Sequence, residues 1–304
     1  MPHRRFVITT LSVVAALFSG VLLTGCAASN PVDGAVEAAT APPRTEPATT
    51  STTTSTSTVQ PTTTTTVPAV TSTTVPLPAN LVLVPPLVQP LVAVGRGDGP
   101  ETARVQERLI QLGFWLDQVD GIHGHVTRQA IMAFQKYSGI AASGEVDEAT
   151  AAALSAATER ARGVAEAGHL VEVDKTRQLL FLVKDGHTLW ALNASTGTEI
   201  PYEVENKNEP GKMERGDSIT PAGWFATDRE RDEGWWEGDL GEIYRPKYFR
   251  GGVAVHGSLS IPNFPASHGC VRVSVAAMDM IWASGLVPLK TPVWVHGDIP
   301  AQAL

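Results

Sequence analysis

The feature that most limits how this chain can fold is a tract rich in threonine, serine and proline over residues 26–80. Runs such as Ser51–Thr58 and Thr62–Thr66 contain no apolar side chain to bury. Folding such a tract would lose conformational entropy without burying apolar surface to offset the loss. We therefore predict that residues 26–80 are a disordered tether and that the folded domains follow it.

The residues before the tether have the layout of a secretory signal peptide, predicted over residues 1–25. Arg4 and Arg5 precede a largely apolar stretch, and Leu23-Thr24-Gly25-Cys26 follows it. This ending resembles a bacterial lipobox, which implies that Cys26 becomes the N-terminus and carries a lipid. We expect an exported protein, lipid-anchored to the outer face of the cytoplasmic membrane, in the cell wall. An uncleaved signal anchor is the alternative.

Charge and cysteine content narrow the function further. The net charge of −8 and the lack of a basic stripe argue against a nucleic-acid partner. The chain has two cysteines, Cys26 and Cys270. If Cys26 is lipidated, Cys270 has no disulfide partner in an oxidising compartment, which indicates that its thiol is kept for its reactivity.

The spacing of apolar residues predicts a small all-α module over residues 95–156. Three helices are expected, beginning near Pro100, Thr127 and Asp147, with Asp147 as an N-cap. The apolar but proline-interrupted stretch 81–94 predicts a strand-like lead-in that docks on this module.

Several short motifs in this module carry a resemblance. They are Gly97-Asp98-Gly99-Pro100, Val105-Gln106-Glu107-Arg108-Leu109, Asp120-Gly121-Ile122, Thr127-Arg128-Gln129-Ala130 and Phe134-Gln135. Together they resemble the peptidoglycan-binding domain of the three-helix type, which implies peptidoglycan stem peptides and glycan as partners. His123 and His125 depart from the pattern. They are either a metal pair or, as we favour, surface residues.

From residue 168 the apolar pattern changes to a two-residue alternation. It predicts a mainly β, sandwich-like domain over residues 168–297 with a packed helix that begins after the N-cap Ser274. Strands are expected at residues 169–174, 178–184, 188–195, 223–227, 253–256 and 291–296, with a turn at Asp185-Gly186.

The residues around Cys270 fit nucleophilic catalysis, which needs a thiolate, a base and donors for an oxyanion. In an extended segment His268, Cys270 and Arg272 would share one face. Either His268 or His256 could lower the pKa of the thiol, and the residues alone leave the choice of base open. A zinc site made by these groups with His296 is the competing interpretation.

A second resemblance bears on that choice. It is carried by His256-Gly257, Ser267-His268-Gly269-Cys270-Val271-Arg272, Ser195-Thr196-Gly197 and Thr220-Pro221-Ala222-Gly223-Trp224-Phe225. These motifs resemble the L,D-transpeptidase catalytic domain. The resemblance implies the following roles: Cys270 as nucleophile, His256 as proton donor and acceptor, the Gly257 carbonyl as the group that orients His256, Ser267, His268 and Gly269 as the oxyanion and supporting residues, and Arg272 as a contact for a substrate carboxylate.

The same resemblance implies acyl transfer on peptidoglycan without a metal or an organic cofactor. Cys270 would form a thioester with the third stem residue, and an amine of a neighbouring stem would resolve it to a 3→3 cross-link. Two alternatives remain: an L,D-carboxypeptidase, in which water resolves the thioester, and a non-catalytic cell-wall-binding lipoprotein. We expect a monomer. The stretch 229–249 is interpreted either as a substrate lid or as exposed aromatic residues capping the sandwich.

Overall fold

The segment with helical spacing of apolar residues folds into three α-helices in the computed structural model, which describes residues 78–301. They are α1 (Pro100–Gln111), α2 (His125–Ser138) and α3 (Glu148–Ala156). The prediction of a three-helix module is therefore confirmed. Residues 1–77, with the signal peptide, Cys26 and most of the tether, lie outside the described residues. No helix within residues 78–301 is long and apolar enough to cross a membrane.

The ends of these helices follow from individual residues. Pro100 opens α1, where its missing N–H is not needed. Asp147 caps α3 as predicted, because its carboxylate accepts a hydrogen bond from the Thr150 N–H at 2.8 Å. Helix α2 begins at His125, two residues before the predicted start, and ends at Gly139 in the left-handed conformation.

The proline-interrupted stretch before the module docks on it as predicted, but it is not a regular strand. Its pairing is limited to isolated bridges, such as Leu83 with Glu159, because its prolines cannot donate ladder hydrogen bonds. Val84 and Leu91 are buried in the core of the module. The side chain of Arg108, 1% exposed, donates to the Pro85 carbonyl at 3.0 Å and holds the stretch in place.

Residues 170–296 form two main sheets, a hairpin and one helix. The strands are β1 (Leu170–Asp174), β2 (Leu179–Lys184), β3 (His187–Asn193), β4 (Tyr202–Glu205), β5 (Met213–Gly216), β6 (Gly223–Ala226), β7 (Arg229–Glu230), β8 (Trp235–Gly238), β9 (Gly241–Arg250), β10 (Val253–Ser258), β11 (Val271–Ser274) and β12 (Pro292–His296). The first sheet has the order β3-β2-β1-β12-β6, and the second has β11-β10-β9-β7 with β8 beside β9. Strands β4 and β5 pair only with each other.

The sandwich core lies between the two main sheets. Val173 and Leu180 of the first sheet pack with Val255 and Val271 of the second. Helix α4 (Val275–Ser284) packs on this core after the predicted N-cap, whose hydroxyl accepts from the Ala277 N–H at 3.1 Å. The mainly β, sandwich-like fold with a packed helix is therefore confirmed.

The helical module and the first sheet share a hydrophobic core. Leu109 and Phe134 of the module lie in the same buried cluster as Leu179 and Phe181 of β2. The backbones also bond, since the Ala191 N–H donates to the Gly113 carbonyl at 2.8 Å. One face of the first sheet therefore packs on the helices and the other on the second sheet.

The sequence prediction missed two groups of strands. The hairpin β4–β5 was not expected, and the stretch 229–249 was not interpreted as strands. Its residues form β7, β8 and most of β9. Strands β7 and β8 are short, largely exposed and rich in charged residues, so they lack the apolar alternation that identifies a buried strand. The hairpin turn at Asp185-Gly186 is confirmed, with positive φ at both residues, 52° and 77°.

Candidate active site

Two neighbouring parallel strands bring the predicted catalytic residues together. His256 of β10 is the Cα partner of Arg272 of β11, and Val255 is the partner of Val271. This register sets Cys270, immediately before β11, beside Ala254. The Cys270 thiol donates to the Gly252 carbonyl at 3.7 Å. Residues fourteen positions apart in the sequence therefore meet at one edge of the second sheet.

The segment Ser267–Cys270 forms a tight, hydrogen-bonded turn. The Ser267 hydroxyl donates to the Cys270 carbonyl at 2.5 Å and accepts from the Gly269 N–H at 3.1 Å. The Thr220 hydroxyl donates to the Gly269 carbonyl at 2.6 Å. Gly269 has φ of 131°, and a Cβ there would lie 2.8 Å from the Ile219 carbonyl oxygen. This position requires glycine.

The extended conformation assumed for His268 to Arg272 is wrong before Val271, where β11 begins. The positive φ of Gly269 interrupts the alternation of side chains. One cavity of about 270 Å³ is nevertheless lined by His268, Cys270 and Arg272, because the chain turns at Gly269. This first cavity is also lined by His256, Ser267, Gly269 and Tyr202.

His256 is held in one tautomer. Its ring is 3% exposed, and Nδ1 lies 2.8 Å from the Gly257 carbonyl oxygen. Because a carbonyl only accepts, Nδ1 carries the hydrogen and Nε2 keeps the lone pair. Burial, reinforced by the positive charge of Arg272, lowers the pKa of His256 to about 4. His256 is therefore a neutral imidazole at pH 7.

Cys270 is half-buried, so a substrate can reach it. Its neighbours crowd the sulfur closely enough that burial raises the pKa of the thiol, although the Ala254 backbone and Arg272 oppose this effect. The expectation that a histidine lowers this pKa is wrong for the free site. His256 is too buried to carry the positive charge that would stabilise a thiolate, so the ground state is a thiol beside a neutral imidazole.

Tyr202 is a site residue that sequence reasoning missed. Its ring lies 4.7 Å from the His268 ring between centroids, and it lines the first cavity. Gly216 of the paired strand makes room for it, since a Cβ there would approach the Tyr202 hydroxyl to 2.8 Å. Its partner across the hairpin, Gly216, lies fourteen residues further along the chain, so the residues next to Tyr202 do not show where its ring is placed.

Arg272 contributes a positive charge to the first cavity. It is half-buried, and burial lowers its pKa while the nearby Cys270 raises it. Within residues 78–301 the guanidinium forms no ion pair with a carboxylate. Binding of a substrate carboxylate by Arg272 stays a prediction, with which its unpaired guanidinium in the first cavity is compatible.

The four groups proposed for zinc do not come together. The Nε2 atom of His296 lies 2.9 Å from Glu172 on the first sheet, whereas His256 and Cys270 belong to the second. Among residues 78–301 no group of three His, Cys, Asp or Glu side chains could hold a metal ion. His123 bonds the Gly144 carbonyl at 2.9 Å.

The stretch 229–249 contributes to the site at two places. The tip of the hairpin β8–β9, Leu240 to Ile243, lines the first cavity. Trp236 lines a second cavity, which shares Leu240, Gly241 and Ile243 with the first. Tyr244 instead packs on Trp235 and donates to Asp279 at 3.0 Å, which makes it part of the scaffold. The stretch is thus a wall of the site.

A half-buried cysteine and a buried histidine therefore line one cavity on a β sandwich, next to a tight glycine turn. Nucleophilic catalysis by a thiol needs such a pair of groups. Comparison with protein families gives two matches. The model of the L,D-transpeptidase catalytic domain matches residues 168–295, and a peptidoglycan-binding domain model matches residues 98–154. Both concern peptidoglycan, the polymer of the bacterial cell wall. None of the curated proteins compared with this chain matches it significantly.

One solved structure points to the same family, and a second, more distant one is reported beside it. An L,D-transpeptidase from Xylanimonas cellulosilytica is 43% identical, with 70% of this chain and 100% of that chain covered and a TM-score of 0.60. An L,D-transpeptidase from Stackebrandtia nassauensis is 20% identical over 70% of this chain and 98% of that chain, with a TM-score of 0.39. The chain belongs to the L,D-transpeptidase family.

Proposed function

We propose that this chain is a cysteine-dependent L,D-transpeptidase that forms 3→3 cross-links between peptidoglycan stem peptides through a thioester on Cys270. The observation that carries the proposal is the pairing of an accessible thiol with a neutral, oriented imidazole in one cavity. A neutral histidine with a free Nε2 can accept the proton of a thiol during the attack.

The first half-reaction transfers the acyl group to sulfur. His256 accepts the Cys270 thiol proton as the sulfur attacks the carbonyl carbon of the third stem residue. The tetrahedral intermediate collapses with cleavage of the C–N bond, and the His256 imidazolium gives its proton to the leaving amine of the terminal residue. In the second half, an acceptor amine attacks the thioester and loses a proton to His256. The C–S bond breaks, and the thiolate regains that proton.

The turn before Cys270 supports this chemistry by its fixed backbone. The Gly269 N–H already donates to Ser267, so we assign the oxyanion contacts to the N–H groups of His268 and Cys270. Backbone donors held in place before the reaction stabilise the developing charge without reorganisation. Arg272 would bind a carboxylate of the donor stem in the first cavity.

The rest of the chain would bring this site to its substrate. We infer that the helical module binds peptidoglycan and that the chain is exported and held to the membrane by a lipid on Cys26. The tether of residues 26–80 would let the folded part reach the wall. Replacing Cys26 by alanine should release the protein from membrane fractions, and full retention would favour an uncleaved anchor.

The test of the activity uses the full-length protein with a disaccharide-tetrapeptide and mass spectrometry of protein and products. We expect a covalent adduct on Cys270, release of the terminal residue and a cross-linked dimer. Tripeptide without dimer would indicate the carboxypeptidase alternative. Cys270→Ala should abolish the adduct and both products, and product formation by that variant would refute the proposal.

A further inference from the structure

The loop of residues 259–266 joins β10, which carries His256, to the turn that carries Cys270. Two of its apolar side chains bury little surface, since Leu259 is 77% exposed and Phe264 is 53% exposed. A cleft of about 390 Å³ is lined by this loop and helix α2. Because apolar packing is sparse here, the position of the loop depends strongly on its hydrogen bonds.

Several of these hydrogen bonds come from outside the loop, and one is made by the helical module. Gln129 of α2 is buried, and its amide nitrogen donates to the Ile261 carbonyl at 3.4 Å. Its amide oxygen accepts from Asn193 of β3 at 2.6 Å, and the same Asn193 nitrogen donates to the Ile261 carbonyl at 3.2 Å. Ile261 itself is 3% exposed. Two buried amides, one from each domain, therefore fix the loop backbone at this point.

A second side chain of α2, Lys136, holds the end of strand β3. It lies about two helical turns after Gln129, on the same side of the helix. Its Nζ donates to the Ala194 carbonyl at 3.0 Å and to the Gln178 carbonyl at 3.2 Å. Burial lowers the pKa of this amine to about 7. Taking an amine out of water is unfavourable unless it is hydrogen-bonded, so the two carbonyl bonds offset that cost.

The two segments held by α2 meet at the catalytic turn. Directly after Ala194, the Ser195 hydroxyl donates to the Phe264 carbonyl at 2.8 Å, near the end of the loop. The Thr196 carbonyl then accepts from the Ser267 N–H at 3.0 Å, at the first residue of the turn. Helix α2 is therefore linked to the turn by two routes, one through the loop and one through the end of β3.

We propose that Gln129 and Lys136 are positioning residues for acyl transfer, through which helix α2 holds the backbone donors of the catalytic turn in place for the oxyanion. This inference rests on the proposed function, because an oxyanion forms only during acyl transfer. Neither residue lines the first cavity, so both act through the backbone of the turn. The helical module is then part of the catalytic unit, in addition to any binding of peptidoglycan.

The test compares two reactions of Cys270 in the full-length protein, each followed by mass spectrometry of the adduct. Acylation by the disaccharide-tetrapeptide needs the oxyanion donors. Alkylation by iodoacetamide does not, because the sulfur displaces iodide from a saturated carbon. Gln129→Leu removes both hydrogen bonds of the amide, so the ratio of the acylation rate to the alkylation rate should fall roughly tenfold or more. The alkylation rate should stay within about twofold of wild type.

Gln106→Leu is the matched control. It also replaces a buried glutamine of the module, but the partners of Gln106, such as Asp120 and Thr127, lie within the module. Its rate ratio should therefore equal that of wild type, although the protein is less stable. Lys136→Met provides a second variant should Gln129→Leu fold poorly, and its ratio should shift in the same direction.

An unchanged ratio in both positioning variants, or an equal shift in Gln106→Leu, would overturn the positioning role while leaving the transpeptidase proposal intact. Absence of any acyl-enzyme in wild type would instead refute the proposed function. In that case, amide hydrogen exchange of residues 259–270 still tests whether α2 holds the turn. Exchange should be faster in Gln129→Leu than in Gln106→Leu, and equal exchange in the two variants would overturn the inference.

Discussion

Two polar centres of this protein contrast sharply in how completely their hydrogen bonds are satisfied. In the helical module, the Gln106 amide nitrogen donates to Asp120 at 2.8 Å and Thr127 at 2.9 Å, and its oxygen accepts from the Gly121 N–H at 2.8 Å. Gln135 makes an equivalent set, including bonds to Thr150 and Gly144. Each buried amide ties its own helix to one loop and to the next helix.

The active site is different. His256 and Arg272 line the first cavity, and the Nε2 atom of His256 and the Arg272 guanidinium have no ion-pair or hydrogen-bond partner among residues 78–301. Buried polar groups are normally satisfied. The glutamines therefore stabilise the fold. The unsatisfied groups of the active site lower its stability but are available to bind a substrate.

The largest effect is expected for His256→Gln, which changes an unsatisfied group of the active site. Removal of the proton acceptor should slow acyl-enzyme formation roughly 10²- to 10⁴-fold, while the midpoint of thermal unfolding at pH 7 changes little, because the ring carries no charge there. Mass spectrometry of the Cys270 adduct measures the rate. The exposed His187→Gln serves as the control, and a rate near wild type in His256→Gln would contradict the assigned role.

The converse change is Gln106→Leu in the module. It leaves several buried donors and acceptors unpaired, so the free energy of unfolding should fall by roughly 3–4 kcal/mol. Acyl-enzyme formation per folded molecule should stay close to wild type. Denaturant unfolding compares it with Gln89→Leu, which replaces an exposed glutamine. Similar losses in the two variants would show that the buried network adds no stability.

The pH dependence of the free energy of unfolding tests the same comparison. The folded pKa of His256, about 4, lies below the unfolded value of about 6.5. The unfolded state therefore binds this proton first, and the contribution of the neutral ring is fully present above pH 6.5 and is lost as the pH falls toward 4. This linkage amounts to roughly 3 kcal/mol at most.

Unfolding of wild type and His256→Gln between pH 7 and pH 4 isolates that contribution from those of the carboxylates. Wild type should lose more stability over this range than the variant. Parallel curves would mean that the ring titrates normally in the folded protein.

The smallest expected effects concern the two caps. Asp147→Ala and Ser274→Ala should each cost about 1 kcal/mol, one in the module and one beside the active site. Because the module and the first sheet share a core, both variants should lower the same single unfolding transition in calorimetry. Two transitions, with only one shifted by each variant, would contradict a shared folding unit.

The sequence alone was sufficient to predict several helix caps, a turn, most strands of the first sheet and the two domain types. The caps Asp147 and Ser274, the turn at Asp185-Gly186 and the alternating strands depend on neighbours a few residues away, and the structure has them as predicted. The two ordered sets of motifs identified the domain types because they combine several such local requirements. The boundaries of the predicted tether and anchor lie largely outside the described residues and stay predictions.

Only the tertiary structure decided what depends on distant parts of the chain. The conformation of Gly269 follows from its contact with Ile219, and the raised pKa of the Cys270 thiol follows from packing by strand β10 and its surroundings. Tyr202 of the β4–β5 hairpin and the tip of the β8–β9 hairpin line the first cavity, although β4 and β8 contain no fully buried residue. Burial and charge at a site are sums over all neighbours in space, so the order of residues along the chain does not determine them alone.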